Sequence, residues 1–108
     1  MKPGKKLSSF TRTEVTTLFK GARTKVKLPG LRILKAPISG RTAGRVLIVT
    51  PRRVGNAPER NLLRRRVRAI YREDKLYTHP YDCVLLFGKE ALLIPFDELR
   101  RLIHSVIK

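Results

Sequence analysis

The apolar and polar positions give their clearest pattern in the middle of the chain. At 100° per residue, Leu63, Val67, Ile70 and Tyr71 fall in one apolar arc, and Arg64, Arg65, Arg68 and Arg72 fill the arc beside it. That spacing predicts a helix with one face for a core and one for solvent. Asn56 followed by Glu59 gives it a capping-box start, and Pro58 falls in the first turn, where a missing amide hydrogen costs least. It runs to about residue 73. Near the end of the chain Leu99, Leu102, Ile103, Val106 and Ile107 recur at i, i+3, i+4, i+7 and i+8, a second amphipathic helix. A third, over residues 12–20, opens on Thr11 and Glu14, with Phe10 and Val15 as a hydrophobic staple. Its inner face is Val15, Leu18 and Phe19, and Gly21 stops it.

Between the helices lie short β-type runs. Val46, Leu47, Ile48 and Val49 are continuous and largely β-branched, which predicts a central strand covered on both faces and ended by Pro51. Residues 83–87 read as another buried strand closed by Gly88, and residues 31–35 as a third with imperfect alternation. Pro37, Ser39, Gly40 and Gly44 mark a turn after it. Residues 23–28 alternate loosely: the order is αβββαβα if they pair as a strand and αββαβα if they do not. The expectation is a small α/β two-layer sandwich formed by residues 10–108. Residues 1–9, basic with Pro3 and Gly4, form a flexible arm.

Charge then narrows the function. The 108 residues hold 25 Lys and Arg against 8 Asp and Glu, a formal +17. The excess is uneven: residues 1–72 carry 20 basic side chains with only Glu14 and Glu59, whereas residues 73–108 carry 5 basic and 6 acidic. A nucleic acid is the partner this favours, because neutralising many phosphates releases counterions. A general solubility charge does not explain one neutral end. An anionic membrane fits poorly, since the basic helix lacks a Trp anchor and its apolar arc belongs inside. The lone Cys83 excludes an intramolecular disulfide, and with two isolated histidines it matches no zinc spacing. No stretch reaches the apolar length of a signal sequence or membrane span. These features imply a soluble protein of a reducing compartment, the cytoplasm.

Arg60, Arg64 and Arg68 step by four along one side of the predicted helix, with Asn61 and Arg65 beside them. Like charges at that spacing repel, and an external polyanion removes the penalty. Guanidiniums suit phosphates, being planar forks of donors that stay charged. Local alternatives stand beside this: an arginine paired with Glu59 or Glu73, Arg66 shielding the core, Asn61 as a solvated residue or as the holder of an arginine. Gly55 permits a close approach before the helix, Arg52 and Arg53 enlarge the basic surface, and the helix start offers amides to phosphate unless Glu59 fills that seat. No acid–base pair or carboxylate metal cluster is evident: Glu73, Asp74 and Asp82 are dispersed, and His79 and His104 read as solvated or structural.

The combined spacing resembles the bacterial ribonuclease P protein family. Its Gly-Asn-Ala segment, Arg-Asn pair, basic pair and final Arg are matched by Gly55, Asn56, Ala57, Arg60, Asn61, Arg64, Arg65 and Arg68, and the flanking strands and outer helices fit as well. The resemblance implies a fold similar to the second domain of ribosomal protein uS5, with a left-handed crossover around the basic helix. It implies a subunit that binds the catalytic RNA through Arg52, Arg53, Asn56, Arg60, Asn61, Arg64, Arg65, Arg68 and Arg72. It further implies contact with the single-stranded 5′ leader of precursor tRNA through Val15, Phe19, Leu31 and Ile33. The reaction implied is endonucleolytic removal of that leader by the RNA with Mg2+, without catalytic side chains, a protein metal site or an obligatory protein partner. Two departures stand out: Val15 and residues 31–35 lack the aromatics common in the family's leader cleft, and Pro58 replaces an apolar position. A structural RNA-binding protein on the same fold, as in ribosomes, is the second hypothesis, and a DNA-binding module the third.

Overall fold

The computed structural model describes residues 11–38 and 44–107. The expected arm at residues 1–9, the expected staple residue Phe10 and most of the turn expected after residue 37 lie outside them. Helix α1 (Arg12–Gly21) begins at the expected capping box: Thr11 Oγ1 accepts the Glu14 amide at 3.2 Å, and Glu14 Oε1 accepts the Thr11 amide at 2.9 Å. Strands β1 (Arg23–Leu28) and β2 (Leu31–Pro37) then form an antiparallel hairpin, which settles the open alternative as αβββαβα. Gly30 turns it at φ +86°, where a Cβ would also lie 2.6 Å from the Glu90 carbonyl carbon. Only glycine meets both demands.

Strand β3 (Val46–Val49) leads through a 3₁₀ turn (Arg52–Val54) into α2 (Ala57–Glu73), and β4 (Tyr81–Phe87) and α3 (Phe96–Ile107) follow. The sheet order is β1-β2-β4-β3, with β3 and β4 parallel and the other pairs antiparallel. This corrects one expectation: β3 is an edge strand, and β2 and β4 are the interior ones. Its run is continuously apolar because Val46 and Ile48 face the main core while Leu47 and Val49 face the partly covered opposite side.

Sheet register separates the two faces. On one, Leu31, Ile33, Val46, Cys83, Leu85 and Phe87 meet Leu63, Val67, Ile70 and Tyr71 of α2 and Leu99, Ile103, Val106 and Ile107 of α3. Burial of this apolar surface is the main source of stability. On the other, Leu18 of α1 covers Leu34, Ala36 and Val84, a smaller cluster that leaves one end of that face open. The sandwich thus has two full layers and a partial third.

Candidate nucleic-acid interface

Helix α2 positions the arginine row because its opposite side is locked into the core: Leu63, Val67, Ile70 and Tyr71 are each no more than 1 % exposed. Arg64, Arg65 and Arg68, with Asn61 and Pro58, line an open depression of about 630 Å³. Asn61 Oδ1 accepts Arg64 Nη1 at 2.7 Å, so Asn61 orients a guanidinium. Glu59 and Glu73, the two acids weighed as local partners, each make a contact of their own. Glu59 closes the helix start, its Oε1 accepting the Asn56 amide at 2.9 Å while Asn56 Oδ1 accepts the Glu59 amide at 2.9 Å. Glu73 receives Arg100 Nη2 of α3 at 2.8 Å. Asn56 is therefore a cap, with its amide oxygen committed to the backbone. Gly55 answers to the same carboxylate, since a Cβ there would lie 2.6 Å from Glu59 Oε1. Arg52 and Arg53 are exposed on the turn before α2, and Arg72 is exposed in its last turn.

The residues expected to meet the leader are not brought together. Phe19 is 41 % exposed rather than part of an inner face, and Val15 is half-buried beside it on α1. Leu31 and Ile33 are 2 % and 0 % exposed, with their side chains in the main core on the far side of the sheet. The alternate positions of β2 face α1 instead: Leu34 lies under Leu18, and Arg32 is exposed. Arg32 joins Arg53 at a groove of about 260 Å³ whose floor includes Val49 and Leu86. Arg32 was missed because β2 is apolar on both faces, which hides the phase of its alternation, whereas Arg53 was expected on the basic surface around α2. The signal available was the cation flanked by apolar residues at Arg32.

A strut sets α1 over this face. Glu14 Oε2 accepts Arg45 Nη2 at 2.7 Å, and the Arg45 amide donates to Asp82 Oδ1 of β4 at 2.7 Å. The hydrogen bond from Arg45, then that from the Thr11 amide, lowers the Glu14 pKa to about 2. Among the described residues no comparable contact activates a nucleophile. Burial raises the Cys83 thiol to about 11, and it raises the adjacent Tyr71 phenol as well. His104 Nε2 lies 2.5 Å from Asp74 Oδ2, tying α3 to the end of α2. Among the described residues no group of three or more His, Cys, Asp and Glu is placed to hold a metal ion. None of the described helices is long and apolar enough to cross a membrane.

A mixed four-stranded sheet that buries the apolar side of a helix and leaves its arginine side outward defines a small α/β protein with one strongly basic surface. The family model described as Ribonuclease P matches residues 5–108, and the chain belongs to that family. It is a protein component of ribonuclease P, the ribonucleoprotein that processes tRNA 5′ leaders. Among solved structures it is similar to the RNase P protein of Thermotoga maritima, 24 % identical with TM-score 0.75 over 94 % of each chain. A structure of the Thermotoga protein with 1-(4-fluorophenyl)-2-thiourea is 25 % identical, with TM-score 0.72 over 90 % of this chain and 94 % of that one. The Staphylococcus aureus RNase P protein shares the fold at 16 % identity, TM-score 0.77, covering 94 % of this chain and 92 % of that one. No curated protein matches the chain significantly.

Proposed function

We propose that two surfaces divide the work. Arg60, Arg64, Arg65 and Arg68, steered by Asn61 and extended by Arg52, Arg53 and Arg72, hold the catalytic RNA through its phosphates. The open sheet face takes the 5′ leader of precursor tRNA, with Phe19 and Val15 on one side and Arg32 and Arg53 on the other. Leu31 and Ile33 support that face from beneath. Asn56 acts by starting α2, which sets the register of the arginines. The observation that carries this reading is the arginine row itself, with Arg64, Arg65 and Arg68 lining one open depression on the side of α2 that faces away from the core.

The chemistry belongs to the RNA, with Mg2+ activating attack and stabilising the leaving oxygen. The likeness of the fold to the second domain of ribosomal protein uS5, with its left-handed crossover, belongs to the same reading. Its support is the element order and the parallel β3–β4 pair around α2. The test is multiple-turnover cleavage of 5′-labelled precursor tRNA by the matching catalytic RNA at low Mg2+, with and without the protein. Strong enhancement of correct leader removal is the expected result. No enhancement by folded protein, with an RNA active at high Mg2+, overturns the reading.

A further inference from the structure

The β1–β2 hairpin places like charges directly opposite each other. Arg23 pairs with Lys35 and Lys27 with Arg32 in the sheet register. Cross-strand like charges destabilise a hairpin, so each pair calls for a compensating anion. Lys27 and Arg32 face the leader side, already covered by the functional reading. Arg23 and Lys35 face the other way, toward the C-terminal end of α3.

There they line a cavity of about 300 Å³ with Gly21, Lys25, Pro37 and Tyr81, none of them acidic. Lys35 is held in place: Nζ donates to the Val106 carbonyl at 2.9 Å and stands 3.9 Å from the centre of the Tyr81 ring. Arg23 and Lys25 are exposed, and neither has an ion-pair partner among the described residues. The bulge between Thr24 and Val26 displaces Lys25 from the ladder beside them. A fixed ammonium flanked by two free cations is a seat for a phosphate oxygen, and the Tyr81 edge offers an adjoining apolar wall. The position is also distinct. Strand β1 is one edge of the sheet and β3, which leads into α2, is the other; the two lie three strand spacings apart, roughly 14 Å.

We infer that the Arg23–Lys25–Lys35 cavity is a second RNA-phosphate site, separate from the α2 surface and on the opposite sheet face from the leader groove. It rests on the RNA-binding reading above. The phosphodiester comes either from the catalytic RNA or from precursor tRNA, and the chemistry is the same for both.

The test uses the full chain carrying Arg23→Gln and Lys25→Gln together, both exposed and outside the core. One arm measures binding to the matching catalytic RNA across a salt series. The other measures precursor tRNA binding by the assembled holoenzyme. A site of this kind lowers the log–log salt slope by about 1.5 in one arm, with roughly tenfold weaker binding at physiological salt. The arm that responds identifies the source of the phosphate. The charge-preserving Arg23→Lys, Lys25→Arg variant restores both quantities. Unchanged slopes in both arms, while Arg64→Gln with Arg68→Gln lowers the first, overturn this inference and leave the α2 reading standing. Unchanged slopes for both variant pairs remove the α2 reading as well.

Discussion

Glu14 and Arg45 tie α1 to the sheet through a 2.7 Å contact, Oε2 to Nη2, and Glu14 makes it with the carboxylate that also caps α1. One side chain therefore fixes both where the helix starts and how it lies over the sheet face proposed to take the leader. Glu14→Gln and Arg45→Ala are each expected to raise KM for precursor tRNA several-fold while leaving affinity for catalytic RNA unchanged. The double exchange Glu14→Arg, Arg45→Glu restores part of the loss. Equal loss in both measurements disproves the positioning role.

The same pair sets a pH window. The folded-state pKa of Glu14, about 2, lies below the ordinary value of 4.5, so its stabilisation is complete above that ordinary value and disappears as pH falls toward 2. The Glu14 contribution, taken as the melting-temperature difference between the parent and Glu14→Gln, should be flat from pH 5 to 8 and shrink below pH 4.5. A contribution already shrinking at pH 6 contradicts the assignment.

Phe19 and Leu63 separate contact from packing. Phe19 is 41 % exposed and Leu63 is 1 % exposed. Leu63→Ala is expected to cost about 3 kcal/mol of folding stability in denaturant titrations. Phe19→Ala leaves stability nearly unchanged and reduces the preference for precursor over mature tRNA. A large stability loss from Phe19→Ala argues that it packs rather than binds.

Gly30 is the sharpest backbone constraint. With φ +86° and the Glu90 carbonyl carbon 2.6 Å from any Cβ, Gly30→Ala should destabilise the protein by about 2 kcal/mol or more, read by thermal melting. A neutral outcome requires the β1–β2 turn to adopt a different conformation.

Anions are expected to stabilise the free protein. With a formal +17 and cross-strand like charges on β1 and β2, self-repulsion opposes the compact state, and an ion bound only by the folded chain offsets it. The melting temperature should rise more in sulfate or phosphate than in chloride at equal ionic strength. An equal rise in all three reduces the effect to screening.

Much of this architecture was legible because local signals agreed with the tertiary packing. Thr11 with Glu14 and Asn56 with Glu59 marked two helix starts to the residue, and the apolar arc of α2 is its buried face. The α2 arginines were visible for the same reason, as the complement of a well-defined core stripe. The sheet was harder. Residues 46–49 read as interior because apolar continuity reports cover on both faces, and α1 with its neighbours partly covers the second face even of an edge strand. The phase of β2 was invisible because Leu31, Ile33, Leu34 and Ala36 are apolar on both sides. That exchanged Leu31 and Ile33 for Arg32 in the expected leader contacts. Arg45 carried no sequence signal, since its partners Glu14 and Asp82 are distant in the chain.

The parallel pairing of β3 with β4 has a consequence for the order of assembly. The β1–β2 hairpin closes through an adjacent turn, whereas Val46 must find Cys83 across the whole of α2. Parallel, non-local pairings form slowly because loop closure precedes their reward. The arginine helix is the loop being closed, and its inward face has only part of its packing surface, Leu31 and Ile33 of β2, until that closure occurs. Pulsed hydrogen exchange during refolding should protect the β1–β2 amides before those of α2, and simultaneous protection contradicts this order. The surface proposed to meet the catalytic RNA then forms late, so an incompletely folded chain lacks that docking face.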